Sequence, residues 1–417
     1  MPPREPALFH KILFVLICVA LVAMYGDRVL RVYLAHRAAE SPAIIPGLQR
    51  ATRLAPGNAT FPHLLGLQLS VAGQDRDGAL LNLRRAVALN PYNGRYWLDL
   101  AAAYQEADNL QLENQALQSA IAAEPGNPEV AAEAAQYYLA VGDAAHALPL
   151  VRQALSQDPQ VAPSLLLTCW RATHDADLLL ANALSPNPEL QFALLRVLGE
   201  QNQPAAASRV WRQIVASRRP FSPKISVFYL DYLLKEHDVT GFDRAWHDLA
   251  SIAPGIQPYL PTTNLIVNPG FEQPILNYGF DWRHQPADHI VAASDDTIGH
   301  SGTRSLSLSY DGSPAYDAGW TQFVPVRSGA AYNFSAWITS ENVTSSSGPR
   351  IAVADAFSGA NLLVTDDVLD THPWHEVTGQ LQVPAATSLV VIKFIRGPAN
   401  TKIRGRVWID DLRLEAR

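Results

Sequence analysis

Residues 320–338 read WTQFVPVRSGAAYNFSAWI, and this stretch decides the fold of the C-terminal third of the chain. In its second half, Tyr332, Phe334, Ala336 and Ile338 share one parity, with smaller or polar residues between most of them. Successive side chains of a β-strand point to opposite faces of a sheet, so this parity predicts a strand with one buried face.

The same alternation recurs on both sides of this stretch. Two further phrases, RSLSLSY and SLVVIKFIR, each place their large apolar residues on one parity, at Leu306, Leu308 and Tyr310 and at Val390, Ile392 and Phe394. Turns rich in Gly, Pro and Ser separate the phrases. Several short strands arranged in this way predict an all-β sandwich or jelly roll over residues 264–417.

Five phrases of this region occur in a characteristic order. They are NLIVNPGFE (264–272), HSGTRSLSLS (300–309), the stretch quoted above, WHEVTGQLQVP (374–384) and RVWIDDLRL (406–414). In this order they resemble the carbohydrate-binding modules of the galactose-binding-like jelly-roll superfamily, especially the family attached to xylanases and related glycosidases. The resemblance covers residues 264–417, and it implies a glycan as the ligand.

The resemblance also implies a structural calcium ion, held by Glu272 of the opening phrase and by Asp410 or Asp411 of the closing phrase. The closing phrase changes its apolar parity between Ile409 and Leu412, and a β-bulge there would re-aim one of the two aspartates. Calcium takes six to eight oxygen ligands, so backbone carbonyls would have to supply the remainder. The alternative is an acidic pair at the surface near a turn.

Sugar binding requires aromatic rings that face solvent, because the C–H face of a pyranose stacks on a π-surface. Aromatic residues in loops are the better candidates, and they are Tyr278, Trp282, Tyr316 and Trp320. The tryptophan of the opening loop could instead cap the sandwich. Trp337 and Trp374 are predicted to be buried, since tryptophan carries a large apolar area.

The preceding part of the chain is periodic. Four similar phrases end in proline, namely RLAP (53–56), ALNP (88–91), AAEP (122–125) and SQDP (156–159), and the last three prolines are 34 residues apart. An alanine stands five residues before each of these three, at Ala86, Ala120 and Ala154. A fixed period of this length predicts a solenoid of helix pairs, with small residues at the helix contacts. At these positions the chain resembles the tetratricopeptide repeat (TPR) family.

We therefore predict TPR-like repeats over residues 41–159 and degenerate helical repeats over residues 160–256, where prolines at 186, 220 and 254 resume the spacing of 34. Residues 257–263 are predicted to be a linker. The solenoid groove is expected to bind a partner protein, with Arg95, Asn114 and Gln118 as residues that could line it. The alternatives are a solvated surface at these three residues and a spacer role for the array.

Residues 12–25, ILFVLICVALVAMY, carry no charge, and residues 1–40 are predicted to be an N-terminal tail and a membrane anchor helix. A cleaved signal peptide is the alternative, but its best cleavage site would cut the apolar run in half. The arginines that follow the run favour a cytoplasmic C-terminal side. The type of the C-terminal domain favours export, so we expect a single-pass protein of a bacterial inner membrane with a periplasmic or extracytoplasmic soluble part.

Composition excludes several classes of function. The net charge of −7 and the absence of a long basic run exclude a nucleic-acid footprint, and two cysteines cannot form a disulfide framework. The sequence contains no HExxH, phosphate loop or GxSxG motif. We therefore expect a non-enzymatic adaptor with a role in bacterial surface or exopolysaccharide assembly. The alternatives are a structural scaffold whose sandwich makes only protein contacts, and a carbohydrate-active enzyme with an unrecognised site.

Overall fold

The computed structural model describes residues 6–73, 75–184, 186–398 and 401–417. The chain divides into two compact units, Met1–Ser185 and Pro186–Arg417. Where the structure describes them, the first unit is helical, and the second contains four α-helices followed by two β-sheets. The predicted fold class, which combines an apolar N-terminal helix, an all-α repeat array and an all-β sandwich, is confirmed.

The first helix, α1 (Pro6–Ala39), contains the uncharged run of residues 12–25. Its segment His10–Ala39 is long and apolar enough to cross a membrane, and its most apolar 18 residues are unburied. Nearer the end of the helix, Ala35 is buried in a cluster with Ala51 and Phe61. A signal sequence near an N-terminus meets the same criteria of length and composition.

The remaining helices of the first unit are short and regularly spaced. They are α2 (Ile44–Leu54), α3 (Thr60–Ala72), α4 (Arg76–Leu89), α5 (Gly94–Glu106), α6 (Leu110–Ala123), α7 (Pro128–Ala140), α8 (Ala144–Gln157), α9 (Ala162–Thr173) and α10 (Ala176–Asn182). Helices α3, α5 and α7 begin 34 residues apart, and each packs against the helix that follows it.

Local sequence explains where these helices begin and why they pack closely. The side chains of Asn93 and Asn109 accept hydrogen bonds from the first turns of α5 and α6, as residues at helix N-termini commonly do. The alanines of the periodic phrases, Ala86, Ala120 and Ala154, are fully buried. The predicted repeat of helix pairs is therefore present.

The second unit begins with α11 (Pro188–Glu200), α12 (Pro204–Ser217), α13 (Val227–Lys235) and α14 (Val239–Ile252). A 3-10 helix, Pro254–Tyr259, follows α14. The predicted linker overlaps this helix and is packed there: Tyr259 is buried, its carbonyl accepts a hydrogen bond from the Trp246 indole, and its hydroxyl donates to Pro274.

Over the described residues from 264 onward, ten strands form the C-terminal sandwich. They are β1 (Arg283–His284), β2 (Ile290–Asp295), β3 (Ser305–Pro314), β4 (Trp320–Pro325), β5 (Ala331–Thr344), β6 (Arg350–Asp355), β7 (Asn361–Val364), β8 (Asp370–Gln382), β9 (Leu389–Ile395) and β10 (Lys402–Ala416). The first sheet has the order β1-β4-β9-β6-β7, and the second sheet has the order β2-β3-β10-β5-β8. Neighbouring strands are antiparallel in both sheets.

The residues that share parity in the sequence form the core between the sheets. Phe334 and Ile338 of β5 face Ile392 and Phe394 of β9 in one buried cluster. The two ends of the domain meet, because Asn264 hydrogen-bonds the backbone of Leu414 and of Leu412. The predicted sandwich, with its opening and closing segments side by side, is confirmed.

Candidate functional site

The structure buries three of the four loop aromatics that the sequence predicts to contact sugar. Trp282 is 0% exposed, Trp320 is 3% exposed and Tyr278 is 6% exposed, whereas Tyr316 is 65% exposed. A ring without solvent contact cannot stack on a sugar. The prediction is therefore corrected for Trp282, Trp320 and Tyr278, and Tyr316 is the candidate that stays available.

Trp282 and Trp320 fill one end of the sandwich core. The Trp282 ring stacks on Phe271 at 5.1 Å and on Phe394 at 5.7 Å, and its indole N–H donates to the carbonyl of Asn268. Trp320 packs edge-on against Phe271 at 5.9 Å. Burial removes the large apolar area of both rings from water. Trp282, the tryptophan of the opening loop, therefore caps the sandwich instead of presenting a binding surface.

Tyr278 is buried because it belongs to the contact between α14 and the sandwich. The Trp246 ring of α14 packs against Tyr278 and Phe280, with centroid distances of 6.0 and 6.1 Å. Gly279 between them has a φ of +66°, and a Cβ atom there would lie 2.0 Å from the Trp246 ring. Only glycine combines this backbone conformation with so close an approach.

The outer face of the first sheet also contacts the last helix pair. Arg283 of β1 forms an ion pair with Asp231 of α13 at 2.9 Å, and its guanidinium lies over the ring of Phe323 on β4. At the other edge, the ring of His237, between α13 and α14, stacks on Phe357 of the β6–β7 turn at 3.9 Å. The helix pair is therefore fixed to this sheet at two places.

The residues predicted to bind calcium converge on one loop, residues 299–304. Glu272 accepts hydrogen bonds from the backbone N–H groups of Thr303 at 2.6 Å and Arg304 at 2.8 Å. Asp410 accepts from the N–H groups of His300 at 2.7 Å and Ser301 at 3.1 Å. We call Glu272, Asp410 and Asp411 the carboxylate clamp, because together they hold this loop against β10.

Asp411 holds the side chains of the same loop. The predicted bulge is present, since the pairing of β10 with β5 shifts register between Asp410 and Arg413, and Asp411 has a φ of +48°. One oxygen of Asp411 accepts from Nδ1 of His300 at 2.7 Å, and the other accepts from the hydroxyl of Ser301 at 2.7 Å. The bulge aims this carboxylate at the loop.

Burial and hydrogen bonding act differently on two carboxylates of the clamp. Burial raises the pKa of Asp410 above its ordinary value, although three backbone N–H groups oppose this change. For Glu272, burial would also raise the pKa, but the hydrogen bonds from Thr303 and Arg304 outweigh it and lower the pKa. The donors of the loop therefore favour the ionised form of Glu272.

The clamp does not fit a calcium site as arranged. Both oxygens of Glu272, Asp410 and Asp411 accept hydrogen bonds from protein donors. Within the described part of the chain, no group of three or more His, Cys, Asp or Glu side chains is placed to hold a metal ion. A calcium ion would have to displace these donors before it could bind the three carboxylates.

The clamp positions an aromatic group on the outer face of the second sheet. The His300 ring stacks on Trp337 with centroids 3.8 Å apart and planes 11° apart, and it meets Trp374 edge-on at 5.6 Å. We call these three residues the ring cluster. Trp337 and Trp374 are both half-buried, so the predicted burial of these two tryptophans is corrected.

Strand register explains why the ring cluster reaches solvent. Trp337 lies opposite Glu376 on β8, and the core residue Ile338 lies opposite His375. Trp337 and Trp374 therefore both point away from the core, since neighbours along a strand alternate between faces. This signal was present in the sequence, because Trp337 has the parity of Ser335 and not that of Phe334.

A groove of about 310 Å³ continues the same face beyond the ring cluster. We call it the polar groove, and its outward side chains are Asn333, Ser335, Thr378, Gln380, Arg413 and Glu415. Amides, hydroxyls and one charge of each sign line it. Together with the ring cluster, it offers both stacking and hydrogen bonding to a hydroxyl-rich ligand.

The exposed candidate Tyr316 lies at a different place, in the loop between β3 and β4. It lines a cavity of about 490 Å³ together with Asp288, His289 and Asp317. The ring cluster and the Tyr316 loop are therefore separate places where an aromatic ring reaches solvent beside polar groups.

In the helical array, Arg95 lies beside a groove between α5 and α7. It forms ion pairs with Asp99 at 2.8 Å and with Glu133 of α7 at 2.6 Å. Five polar residues line this groove of about 430 Å³: Gln105, Glu129, Glu133, Gln136 and Tyr137. Burial, with Glu133 and Asp99 nearby, raises the pKa of Tyr137 to about 12, so its phenol is neutral.

The other two residues predicted for the solenoid groove lie on α6. Asn114 accepts a hydrogen bond from the hydroxyl of Tyr138 at 3.0 Å, and Gln118 is exposed. The structure thus places Arg95 next to the α5–α7 groove, and it assigns Asn114 to a contact between neighbouring helix pairs.

Residues 263–401 match the family model of a carbohydrate binding domain. This match confirms the recognition of a carbohydrate-binding type of domain at the C-terminal end. No curated protein matches the sequence significantly.

Several solved structures are similar to parts of the chain at low sequence identity. A CBM4 structure is 18% identical with a TM-score of 0.29, over 36% of this chain and 99% of that chain. TmCBM61, in complex with β-1,4-galactotriose, is 22% identical with a TM-score of 0.27, over 37% and 99%. PilW, a widely conserved type IV pilus biogenesis factor, is 16% identical with a TM-score of 0.27, over 47% and 94%.

Proposed function

We propose that this chain is a membrane-anchored, non-enzymatic adaptor whose sandwich binds a glycan and whose helical array binds a partner protein. The glycan part rests chiefly on one observation, the match of residues 263–401 to a carbohydrate binding domain. The solvent-exposed aromatic rings beside polar side chains on this sandwich support it, because sugars combine apolar C–H faces with many hydroxyl groups.

The α5–α7 groove supports the protein-binding part. Repeat arrays of helix pairs present elongated surfaces, and this groove carries the acidic residues Glu129 and Glu133, of which Glu133 pairs with Arg95. A partner with a cationic segment would suit Glu129 and Glu133. If the helical array is instead only a spacer, it needs no such partner.

Two pairs of aspartates are adjacent in the sequence, at 295–296 and at 366–367. The structural role of one member of each pair supports a non-enzymatic function. Asp295 accepts hydrogen bonds from the Trp408 indole at 2.9 Å and from Thr297, and Asp367 pairs with Arg350. A glycosidase uses two carboxyl groups that face one another across the substrate. Incubation of the full chain with each polysaccharide that it binds should release no new reducing ends.

Helix α1 supports the anchor, and we place the chain in a bacterial inner membrane with its sandwich outside the cytoplasm, in the assembly of a surface polysaccharide or exopolysaccharide. A topology reporter fused after Arg417 tests this placement. Activity of a periplasmic reporter is the expected result, whereas activity of a cytoplasmic reporter would remove the role in an exported glycan.

Glycan binding is tested with the full chain in detergent on immobilised polysaccharides. The probes are hydroxyethylcellulose, xylan, galactan and alginate, and the same chain after thermal unfolding is the control. Retention of the folded chain on at least one probe, with release by soluble oligosaccharide, is expected. If the folded chain passes every probe unretained, the scaffold role with protein contacts alone replaces the glycan-binding role.

A further inference from the structure

The outer face of the second sheet carries three features in a row. The ring cluster lies in the middle, and the polar groove lies on one side of it. On the other side is a depression of about 570 Å³, whose lining includes Glu341, Arg404 and Arg406. On β5, Asn333 and Glu341 are eight residues apart, so these features extend over about 27 Å of strand.

The rings in the middle of this face are held in place. Asp411 holds His300 by Nδ1, and His300 in turn covers one face of Trp337 at 3.8 Å. Trp374 borders this stack and is itself half-exposed. A ring that is already fixed loses little conformational entropy when a ligand stacks on it.

Charges of both signs lie close together along the face. Arg413 and Glu415 lie together in the polar groove, and Glu341 lies with Arg404 and Arg406 in the depression beyond the rings. Such mixed charges give no extended field of one sign, so they do not select a polyanion or a polycation. The hydroxyls and amides between them match an uncharged ligand rich in hydroxyl groups.

We propose that this face, centred on Trp337, Trp374 and His300, is the glycan-contacting surface of the sandwich and takes an extended, uncharged polysaccharide chain. The inference rests on the proposed glycan-binding function and assigns it a place. One sugar residue stacks at the ring cluster, and the adjacent sugar residues of the polysaccharide hydrogen-bond in the polar groove. The Tyr316 loop is the competing place on the same domain.

The test compares variants of the full chain in detergent on the polysaccharide that retains the wild-type chain. Trp374→Ala removes the half-exposed ring and should weaken binding at least about tenfold, as the loss of a central aromatic residue commonly does. Tyr316→Ala removes the competing ring and should leave the dissociation constant unchanged within about twofold. Circular dichroism in the aromatic region checks that both variants are folded.

A second variant keeps the test decisive if Trp374→Ala does not fold. Thr378→Arg places a long side chain in the polar groove from an exposed strand position, and it should also weaken binding about tenfold. The uncharged probes should compete with each other, and alginate should not compete.

The outcomes separate this inference from the function on which it rests. Absence of wild-type binding to every probe removes both. Wild-type binding that Tyr316→Ala abolishes, while Trp374→Ala and Thr378→Arg leave it intact, overturns the sheet-face site and keeps the glycan-binding function. Binding restricted to alginate and suppressed by salt overturns the uncharged ligand.

Discussion

The two sheets of the sandwich present outer faces with different surroundings. The face of the first sheet is fixed to the last helix pair at two places, through Arg283 and Asp231 and through His237 and Phe357. On the second sheet, the rings of Trp337 and Trp374 stand half-exposed beside a polar groove. Aromatic residues near the first sheet attach the helices, whereas those on the second sheet remain available to a ligand. Whether an aromatic ring of the sandwich attaches the helices or stays open to a ligand thus depends on what packs against it.

The largest expected effect comes from disturbing the contact between the last helix pair and the sandwich. Gly279→Ala puts a Cβ atom 2.0 Å from the Trp246 ring at a φ of +66°. We expect it to lower the free energy of unfolding by about 3 kcal/mol, from overpacking together with left-handed backbone strain. Urea unfolding of the full chain, followed by tryptophan fluorescence, measures the change.

Gly359→Ala is the matched control for this variant. Gly359 has a φ of +73° in the β6–β7 turn, but nothing lies within 4 Å of an added Cβ atom. It should cost only about 1 kcal/mol, which is the backbone part of the effect. Equal losses in the two variants would show that the contact of Gly279 with Trp246 contributes little.

The second prediction concerns a buried carboxyl group in the same opening loop. Burial raises the pKa of Asp281 from 3.8 to about 6, although a hydrogen bond from the Leu276 N–H at 2.6 Å opposes the change. The folded state therefore binds this proton more tightly than the unfolded state. Its contribution to stability is fully present below pH 3.8 and is lost as the pH rises through about 6.

We expect the loss over this pH window to be roughly 2 kcal/mol for Asp281. Asp281→Asn should flatten the dependence of the unfolding free energy on pH between these values. Asp288→Asn, at an exposed position in the same region, should leave the dependence as it is in the wild-type chain. The same slope in all three proteins would contradict the assignment to Asp281.

The sequence allowed much of the fold to be predicted, because the relevant signals are local. Prolines 34 residues apart and the alanines before them mark the helix pairs, and Ala120 is fully buried as its spacing predicts. The change of parity after Ile409 predicted the bulge at Asp411. These features depend on neighbouring residues along one helix or one strand.

The exposure of the aromatic residues was harder to predict, for two different physical reasons. Tyr278 is buried by Trp246, which lies 32 residues earlier, and no local pattern shows that α14 packs on this loop. Trp374 has the parity of Glu376 and Thr378, which is the parity of the outer face. Its position was therefore readable from strand alternation, and the large apolar area of the ring was the weaker guide.

The third prediction concerns the outer face of the second sheet. Asp411→Ala removes the acceptor that holds His300 and Ser301, and it should cost about 1 kcal/mol of stability. Glycan binding should weaken by about threefold, since His300 would no longer be fixed on Trp337. Asp411→Asn keeps a side-chain acceptor for Nδ1 and should restore most of the affinity. Equal binding by the alanine variant and the wild-type chain would show that the clamp does not position the ring cluster.

The smallest expected effect concerns calcium at the same clamp. An ion that binds only the folded state stabilises it in proportion to its occupancy, so a structural calcium site would make the unfolding temperature depend on calcium. The oxygens of Glu272, Asp410 and Asp411 already accept hydrogen bonds from residues 299–304, and we expect millimolar calcium or EDTA to move the midpoint by no more than about 1 °C. Thermal unfolding of the full chain in either solution measures this. A rise of several degrees with calcium alone would mean that the ion replaces the loop N–H groups on the clamp, and His300 would then be positioned by the metal-bound form of the loop.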